Sequence, residues 1–412
     1  MMQNLKVLIV CEHASNVFGG EAMLPLNYFR YLAKTEHEVY LITHARVKAS
    51  ISQLSDINQD NVFYVPDTVA HQFLNKCANY LPERIGILTV GFLMHLITQV
   101  YQWRLARKIV KEKKIDVIHE PAPVSAVQPS AMFALGVPVI IGPMNGGMSF
   151  PDAFKSMAGK SERILYNVIR VFTTVYNLLI PGKFFADYLL VANQRTRDAL
   201  PKLRLGKVVE IVENGVFSVV DVPKPIHQPD IINVLFVGRL VDWKAIDILI
   251  DAIELCKAPV KLTILGDGIL RNHLEHYAQT KAPGKVVFLG LVSHAETNHY
   301  YDQADIFVLP SIRECGGAVV LEAMSRGLPV IATAWGGPMD YITSETGFLV
   351  EPKSREYMVE QFSHTIDTLA SDPQLRYQLG QASIDRIKQQ FMWDKKTQEV
   401  ITIYQKAVGD LA

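Results

Sequence analysis

Short runs of Val, Ile and Leu alternate along the first half of the chain with longer stretches of helical period. The runs are Lys6 to Val10, Glu38 to Thr43, Val117 to His119, Val137 to Ile141 and Tyr188 to Ala192. Strands that are apolar at nearly every position have both faces covered, as in a parallel sheet held between two layers of helices. A proline-punctuated stretch, Val222 to Pro229, interrupts the rhythm and reads as a linker. The alternation then restarts with Ile232 to Gly238, Val260 to Gly266, Val286 to Gly290, Ile306 to Leu309 and Val330 to Ala332. Several of these strands end in Gly or Pro, where a loop must turn toward the next helix. The last part, Glu356 to Ala412, keeps a helical period and offers no strand. The pattern predicts an α/β protein with a parallel sheet in each half, and ligands outside the carboxyl ends of the strands.

Composition narrows the class. The chain has 412 residues, 49% of them hydrophobic, which at roughly 150 residues per domain suggests two to three domains with real cores. The 41 basic residues balance 41 acidic ones, so no global field favours nucleic acid, and an anionic ligand needs a local site. Cys11, Cys77, Cys256 and Cys315 are far apart and form no metal-ligand spacing, which fits a reducing, cytoplasmic compartment. The first apolar run is too short for a signal-peptide core and reads as a buried strand. The segment Ile85 to Trp103 carries no Lys, Arg, Asp or Glu, but it holds Thr89, His95, Thr98, Gln99 and Gln102. Arg104, Arg107, Lys108 and Lys111 follow it on one helical face. A helix running from core to surface is the leading expectation. A helix lying on a membrane comes second and a true span third.

Two constellations carry candidate chemistry. Arg239 and Lys244 follow the strand that opens the second half and precede a helix, whose first amides also favour anions. Such a pair suits a diphosphate as readily as it suits a solvated helix start. Glu314 and Glu322 flank Cys315, Gly316 and Gly317 at the start of another helix. Exposed amides beside carboxylates offer donors to phosphate or sugar oxygens and acceptors to hydroxyls, the needs of a sugar nucleotide.

Taken in order, Gly238-Arg239-Leu240 with Lys244, Gly266-Asp267-Gly268, the Glu314 to Glu322 pair, Gly327-Leu328-Pro329 and Gly336-Gly337 resemble the family 4 retaining glycosyltransferases of the GT-B fold. The set spans about the last 200 residues of the chain. The first half resembles the family more loosely, through Gly19-Gly20 and Asn214-Gly215-Val216. The resemblance implies two Rossmann-like domains: residues 1–216, completed by a C-terminal helix at about 391–412, on the acceptor side, and residues 217–390 on the donor side. It implies that Arg239 and Lys244 neutralise the donor diphosphate. Glu314 would hold donor-sugar hydroxyls with the amides of Cys315, Gly316 and Gly317, and Glu322 would hold the ribose. Gly19 and Gly20 would let the first loop approach the phosphates.

The implied reaction moves a hexosyl group from a nucleoside-diphosphate sugar, with UDP-sugar favoured, to an acceptor hydroxyl with retention of configuration. Neither a metal nor a further cofactor is implied. Polysaccharide or glycolipid synthesis is the expected setting. Where many relatives carry a histidine, this chain has Asn145 in IIGPMNGGMSF, which cannot serve as a general base; with Gly146 it is a candidate sugar or acceptor contact. His119 and Glu120, at the end of another strand, are candidates for the acceptor side, and His13 reads as structural. The acceptor is a sugar or lipid-linked hydroxyl, with peripheral contact at the inner membrane face if the apolar segments Ile85 to Trp103 and Ile164 to Pro181 are exposed. The rivals are a nucleotide-sugar epimerase on the same scaffold and a non-catalytic two-domain sugar-binding protein. A nicotinamide dehydrogenase is disfavoured, because CEHASNVFGGEA lacks the expected glycine fingerprint.

Overall fold

A computed structural model of the chain describes residues 4–16, 20–78, 80, 86–122, 125–157, 173 and 175–410. The chain divides into two compact units: 1–147 with 164–213 and 393–412, and 148–163 with 214–392. Each is built on its own parallel sheet.

The first sheet contains β1 (Lys6–Val10), β2 (Glu38–His44), β3 (Val62–Val65), β4 (Val117–Glu120), β5 (Val139–Met144), β6 (Tyr188–Val191) and β7 (Lys207–Glu210) in the order β3-β2-β1-β4-β5-β6-β7. The register is direct, with Val7 beside both Val39 and Val117. Successive side chains point to opposite faces, and the two cores divide accordingly. Val7, Ile9, Leu41 and Ile140 enter one core with Leu26, Phe29 and the residues Trp393, Val400 and Tyr404 of the helix Trp393–Gly409. Leu8, Val10, Ile42 and Ile141 enter the other, beneath Ala106, Ile109 and Val110 of the helix Phe92–Lys113. The helix Trp393–Gly409 is tied further by the Tyr404 hydroxyl at 2.6 Å from His119 Nδ1 and by Asp410, which accepts from Tyr188 and Lys207.

The second sheet contains β8 (Ile232–Val237), β9 (Val260–Leu265), β10 (Val286–Gly290), β11 (Ile306–Leu309), β12 (Val330–Thr333) and β13 (Gly347–Val350) in the order β10-β9-β8-β11-β12-β13. The order reverses between β8 and β11, and between β1 and β4 in the first sheet. Loops that leave such a reversal in opposite directions open a crevice at the carboxyl ends.

The segment Val222 to Pro229 is not a free linker. Pro223 packs against Gly327, Lys224 donates to the Ala304 carbonyl, and Arg376 donates to the His227 carbonyl at 2.7 Å. The prolines spare backbone donors where the segment runs along the second unit. No helix among the described residues is long and apolar enough to cross a membrane. The uncharged segment instead enters the helix Phe92–Lys113, which buries His95, Thr98, Gln99 and Gln102. Ile85 and the stretch 164–172 lie outside the described residues.

Candidate functional site

In the second unit the residues after β8 and those after β11 meet at the reversal of strand order. After β8 the chain passes Gly238-Arg239-Leu240, makes a turn at Asp242–Lys244 and enters the helix Ile246–Leu255 through Ala245 at φ +51°. The Trp243 carbonyl accepts from the Ile312 amide at 2.9 Å, so the loops after β8 and β11 are joined by backbone. That bond sets the Lys244 ammonium against the Glu314 carboxylate in a direct ion pair, with side chains only 12% and 13% exposed. Arg239 stays exposed, its guanidinium 5.8 Å from the centre of the Trp243 ring, and it makes no ion pair among the described residues.

Glycines make this approach of loops sterically feasible. A Cβ on Gly266 would lie 1.9 Å from the Gly238 carbonyl oxygen, and one on Gly336 would lie 1.9 Å from that of Glu314. Gly336 also has φ +80°, which only glycine adopts freely. The Gly337 amide donates to the Glu314 carbonyl at 2.9 Å, fixing the loop that carries the carboxylate. Gly317, at φ +70°, opens the helix Ala318–Ser325 and has no side-chain cap. Cys315, Gly316 and Gly317 thus lie on the loop between Glu314 and that helix, and Cys315 is exposed.

Glu322 lies on the same helix, half-buried, and accepts from the Tyr301 hydroxyl at 3.0 Å. Burial and then the Glu322 charge raise the Tyr301 pKa well above its ordinary value, so this phenol stays a donor. Tyr301 is 21 residues from its partner, and nothing in the sequence pattern links the two.

In the first unit, Gly20 begins the helix Gly20–Leu32, and a Cβ there would meet nothing within 4 Å. Gly19 lies outside the described residues. His119 and Glu120 are wholly buried and present no atom to an acceptor. His119 Nε2 meets the Gly142 carbonyl at 2.6 Å and Nδ1 meets Tyr404, and burial pushes its pKa down to about 4. Glu120 accepts from Gln99 and Ser130; burial raises its pKa and lowers that of buried Lys183 to about 7. Both residues hold the interior together at the end of β4. Asn145 is also buried, donating to Glu213 at 2.6 Å and accepting from Arg195 at 2.9 Å. The Gly146 amide donates to Thr196 Oγ1 at 3.0 Å. These bonds fix the turn after β5 from within.

A polar cluster that sequence reasoning did not find lies beyond β1, β2 and β3. His95 Nδ1 is 3.0 Å from Glu12 Oε2, the His44 and His71 rings stand 5.1 Å apart, and Arg46 bonds Asp67 at 3.1 Å. His44, Asp67 and His71 could gather around a metal ion, their ligand atoms lying within 4.8 Å of one another. Arg46 already neutralises Asp67, however, and both His71 nitrogens are engaged by Thr68 and Thr98. Within the group the buried Nε2 of His44 has no hydrogen-bond partner among the described residues and stands 3.9 Å from Asp67 Oδ1. Burial, then Arg46, pushes the His44 pKa down to about 4.

Comparisons with known proteins bear on this geometry. The structure is similar to a sucrose-phosphate synthase from Thermosynechococcus elongatus, with a TM-score of 0.67 at 19% identity over 99% of this chain and 100% of that one. It is also similar to the Anabaena protein HepE in complex with UDP and glucose, with a TM-score of 0.61 at 16% identity over 98% of this chain and 100% of that one. At such identities the likeness establishes the fold, which is GT-B: two Rossmann-like parallel-sheet domains. Residues 223–386, which hold both loops of the candidate site, match the family described as glycosyl transferases group 1. Those residues make up most of the second unit, so the likeness to that family falls there. In sequence, the chain is 35% identical over 185 residues to an uncharacterized glycosyltransferase of Methanocaldococcus jannaschii, 44% of this chain and 46% of that protein. The aligned stretch spans 32–46% of the length of the first curated relatives.

Proposed function

We infer that the protein transfers a hexosyl group from a nucleoside-diphosphate sugar to an acceptor hydroxyl, with retention of anomeric configuration. The observation that carries this reading is the Lys244–Glu314 pair at the reversal of strand order, with exposed Arg239 beside it. Arg239 and Lys244 supply positive charge where a leaving diphosphate gains negative charge. Fixed charges aimed at that point are the largest common source of rate enhancement. Glu314, with the amides of Cys315, Gly316 and Gly317, receives the donor sugar, and Glu322 accepts from the ribose hydroxyls.

The Lys244–Glu314 pair gives the loop two partners to exchange. In the free protein the carboxylate holds the ammonium in place, and a bound diphosphate offers the same cation a second anion. Glu314 is then released toward sugar hydroxyls without leaving a buried charge unpaired. UDP is the favoured nucleotide, in line with the UDP held by the structurally similar HepE. Synthesis of a polysaccharide or a glycolipid is the proposed setting.

The test is thermal unfolding with UDP, GDP, ADP, NAD and free sugars, on the wild type and on Arg239→Ala. A ligand at 100 times its dissociation constant stabilises by about 2.7 kcal/mol. The expected result is a rise in Tm with one nucleoside diphosphate that the variant loses, followed by acceptor-dependent release of that diphosphate from its sugar. Stabilisation by free sugar or NAD alone would overturn the reading. Conversion of the nucleotide sugar without an acceptor would favour an epimerase.

A further inference from the structure

One outer face of the first unit is built inside out. In the stretch Phe92 to Trp103, the residues buried are His95, Thr98, Gln99 and Gln102, a helical stripe made entirely of polar side chains. Every apolar residue of that stretch is half-buried or exposed, with Leu93 at 50% and Val100 at 46%. A surface helix ordinarily does the reverse. Gln99 is engaged by Glu120 and the Ala131 amide, His95 by Glu12 and Thr98 by His71, so the inversion is fixed by bonds to the interior.

The same inversion recurs in two neighbouring segments. Thr173 and Asn177 are buried while Leu178 is 52% and Leu179 is 74% exposed. Lys183 is buried, donating to the Ser125 and Ala126 carbonyls, while Phe185 is 51% exposed. These segments are contiguous with the first. The Tyr176 and Phe92 rings lie 5.3 Å apart, and Trp103 Nε1 donates to the carbonyl of Phe133, whose ring stacks on Phe185. The Leu205 amide donates to the Phe184 carbonyl at 3.0 Å, which brings in exposed Leu203 and Leu205.

Charge distinguishes what this face fits. None of the stretches Phe92 to Lys111, Val175 to Ala186 and Ala199 to Lys207 contains Asp or Glu. Arg104, Arg107, Lys108 and Lys111 continue the outward face of the helix that carries Leu93 and Val100, and Lys202 and Arg204 interleave with Leu203 and Leu205. In a chain of zero net charge this is a strong local asymmetry. Exposed Leu and Phe beside clustered Lys and Arg, of which Lys108 faces Glu112 at 3.8 Å, complement an interface that is apolar below and anionic above.

We propose that this face of the first unit docks on the surface of an anionic lipid bilayer, with Leu178, Leu179, Phe185, Leu203 and Leu205 entering the headgroup boundary and the basic residues contacting lipid phosphates. The docking does not depend on the glycosyltransferase reading, and its test needs no turnover. The full-length protein is floated with vesicles of phosphatidylcholine alone and of phosphatidylcholine mixed with phosphatidylglycerol, at low and high salt. Binding is expected only with the anionic vesicles and should fall with salt. Each Lys or Arg near such a surface is worth roughly fivefold in partition, so Lys202→Ala/Arg204→Ala should lose roughly thirtyfold.

Leu178→Glu/Leu179→Glu should abolish flotation while leaving the Tm within a few degrees, and Leu203→Ser/Leu205→Ser supplies an independent pair if the first variant fails to fold. Absence of wild-type flotation, equal binding to neutral vesicles, or unchanged binding in a folded apolar variant would each overturn the proposal. Self-association that the Leu178→Glu/Leu179→Glu change disperses, without vesicle binding, would reassign the face to a second copy of the chain.

Discussion

Lys244 and Glu314, 70 residues apart in sequence, form a shielded ion pair between the loops that leave β8 and β11. Removing one partner of a buried pair strands the other charge, which typically costs about 3 kcal/mol or more. Glu314→Ala and Lys244→Ala should therefore each lower the Tm. Lys244→Met/Glu314→Gln, which strands no charge, should recover much of it. If the proposed role of Lys244 holds, turnover should stay depressed in that double variant by about 10²–10³-fold, as for loss of one electrostatic stabiliser. Unfolding curves set beside steady-state rates check both halves.

Glu322 poses a related problem, because its variant can fail for two reasons. Glu322→Ala leaves the buried Tyr301 hydroxyl without the carboxylate and should cost about 1–3 kcal/mol of stability. Glu322→Gln keeps an acceptor for Tyr301 and should be close to wild type in Tm. A loss of nucleotide affinity shared by both variants, measured by calorimetry, would belong to the carboxylate rather than to the fold.

Gly336→Ala tests the loop geometry without touching a charged group. The new methyl would stand 1.9 Å from the Glu314 carbonyl oxygen at a φ of +80°. Strain and displacement together should cost about 2–4 kcal/mol. Nucleotide-induced stabilisation should fall with it, because the same carbonyl anchors the Glu314 loop.

Acid should destabilise the first unit in a defined window. Burial lowers the His119 pKa from 6.5 to about 4, so between those values the unfolded chain takes up a proton that the folded one excludes. Stability from this residue is therefore complete above about pH 6.5 and lost as pH falls toward 4, by about 3 kcal/mol in all. His44 acts in the same direction. Urea unfolding of wild type and His119→Gln near neutrality and near pH 4–5 should show a shallower acid loss in the variant.

Much of the fold can be read in the chain, because strands buried on both faces are apolar throughout. Ten of the strands are legible as short apolar runs, although the edge strand β10 is only half-buried and β9 exposes Lys261. The edge strand β7 is not, since Lys207 and Glu210 are exposed and only Val208 and Val209 between them are apolar. Two others, β3 and β13, are four residues each, with half-buried central positions. The candidate loops of the second unit are legible because their glycines and charges lie close together in sequence. The Tyr301–Glu322 bond and the cluster of Glu12, His44, His71 and His95 are not, being assembled from separate strands and helices. His119, Glu120 and Asn145 stand at strand ends with internal partners, Tyr404, Gln99 and Glu213, that are too distant in sequence to be foreseen.

The helix Trp393–Gly409 imposes an order on synthesis. Trp393, Val400 and Tyr404 belong to the core that Val7 and Ile9 begin, and Tyr404 supplies the hydroxyl that meets His119. All of residues 214–392 must leave the ribosome before that core can close. A nascent chain therefore holds its first sheet open until the second unit has been made, and a chain stopped short of residue 393 keeps that apolar face uncovered. Interrupted products therefore expose apolar surface that the finished chain buries.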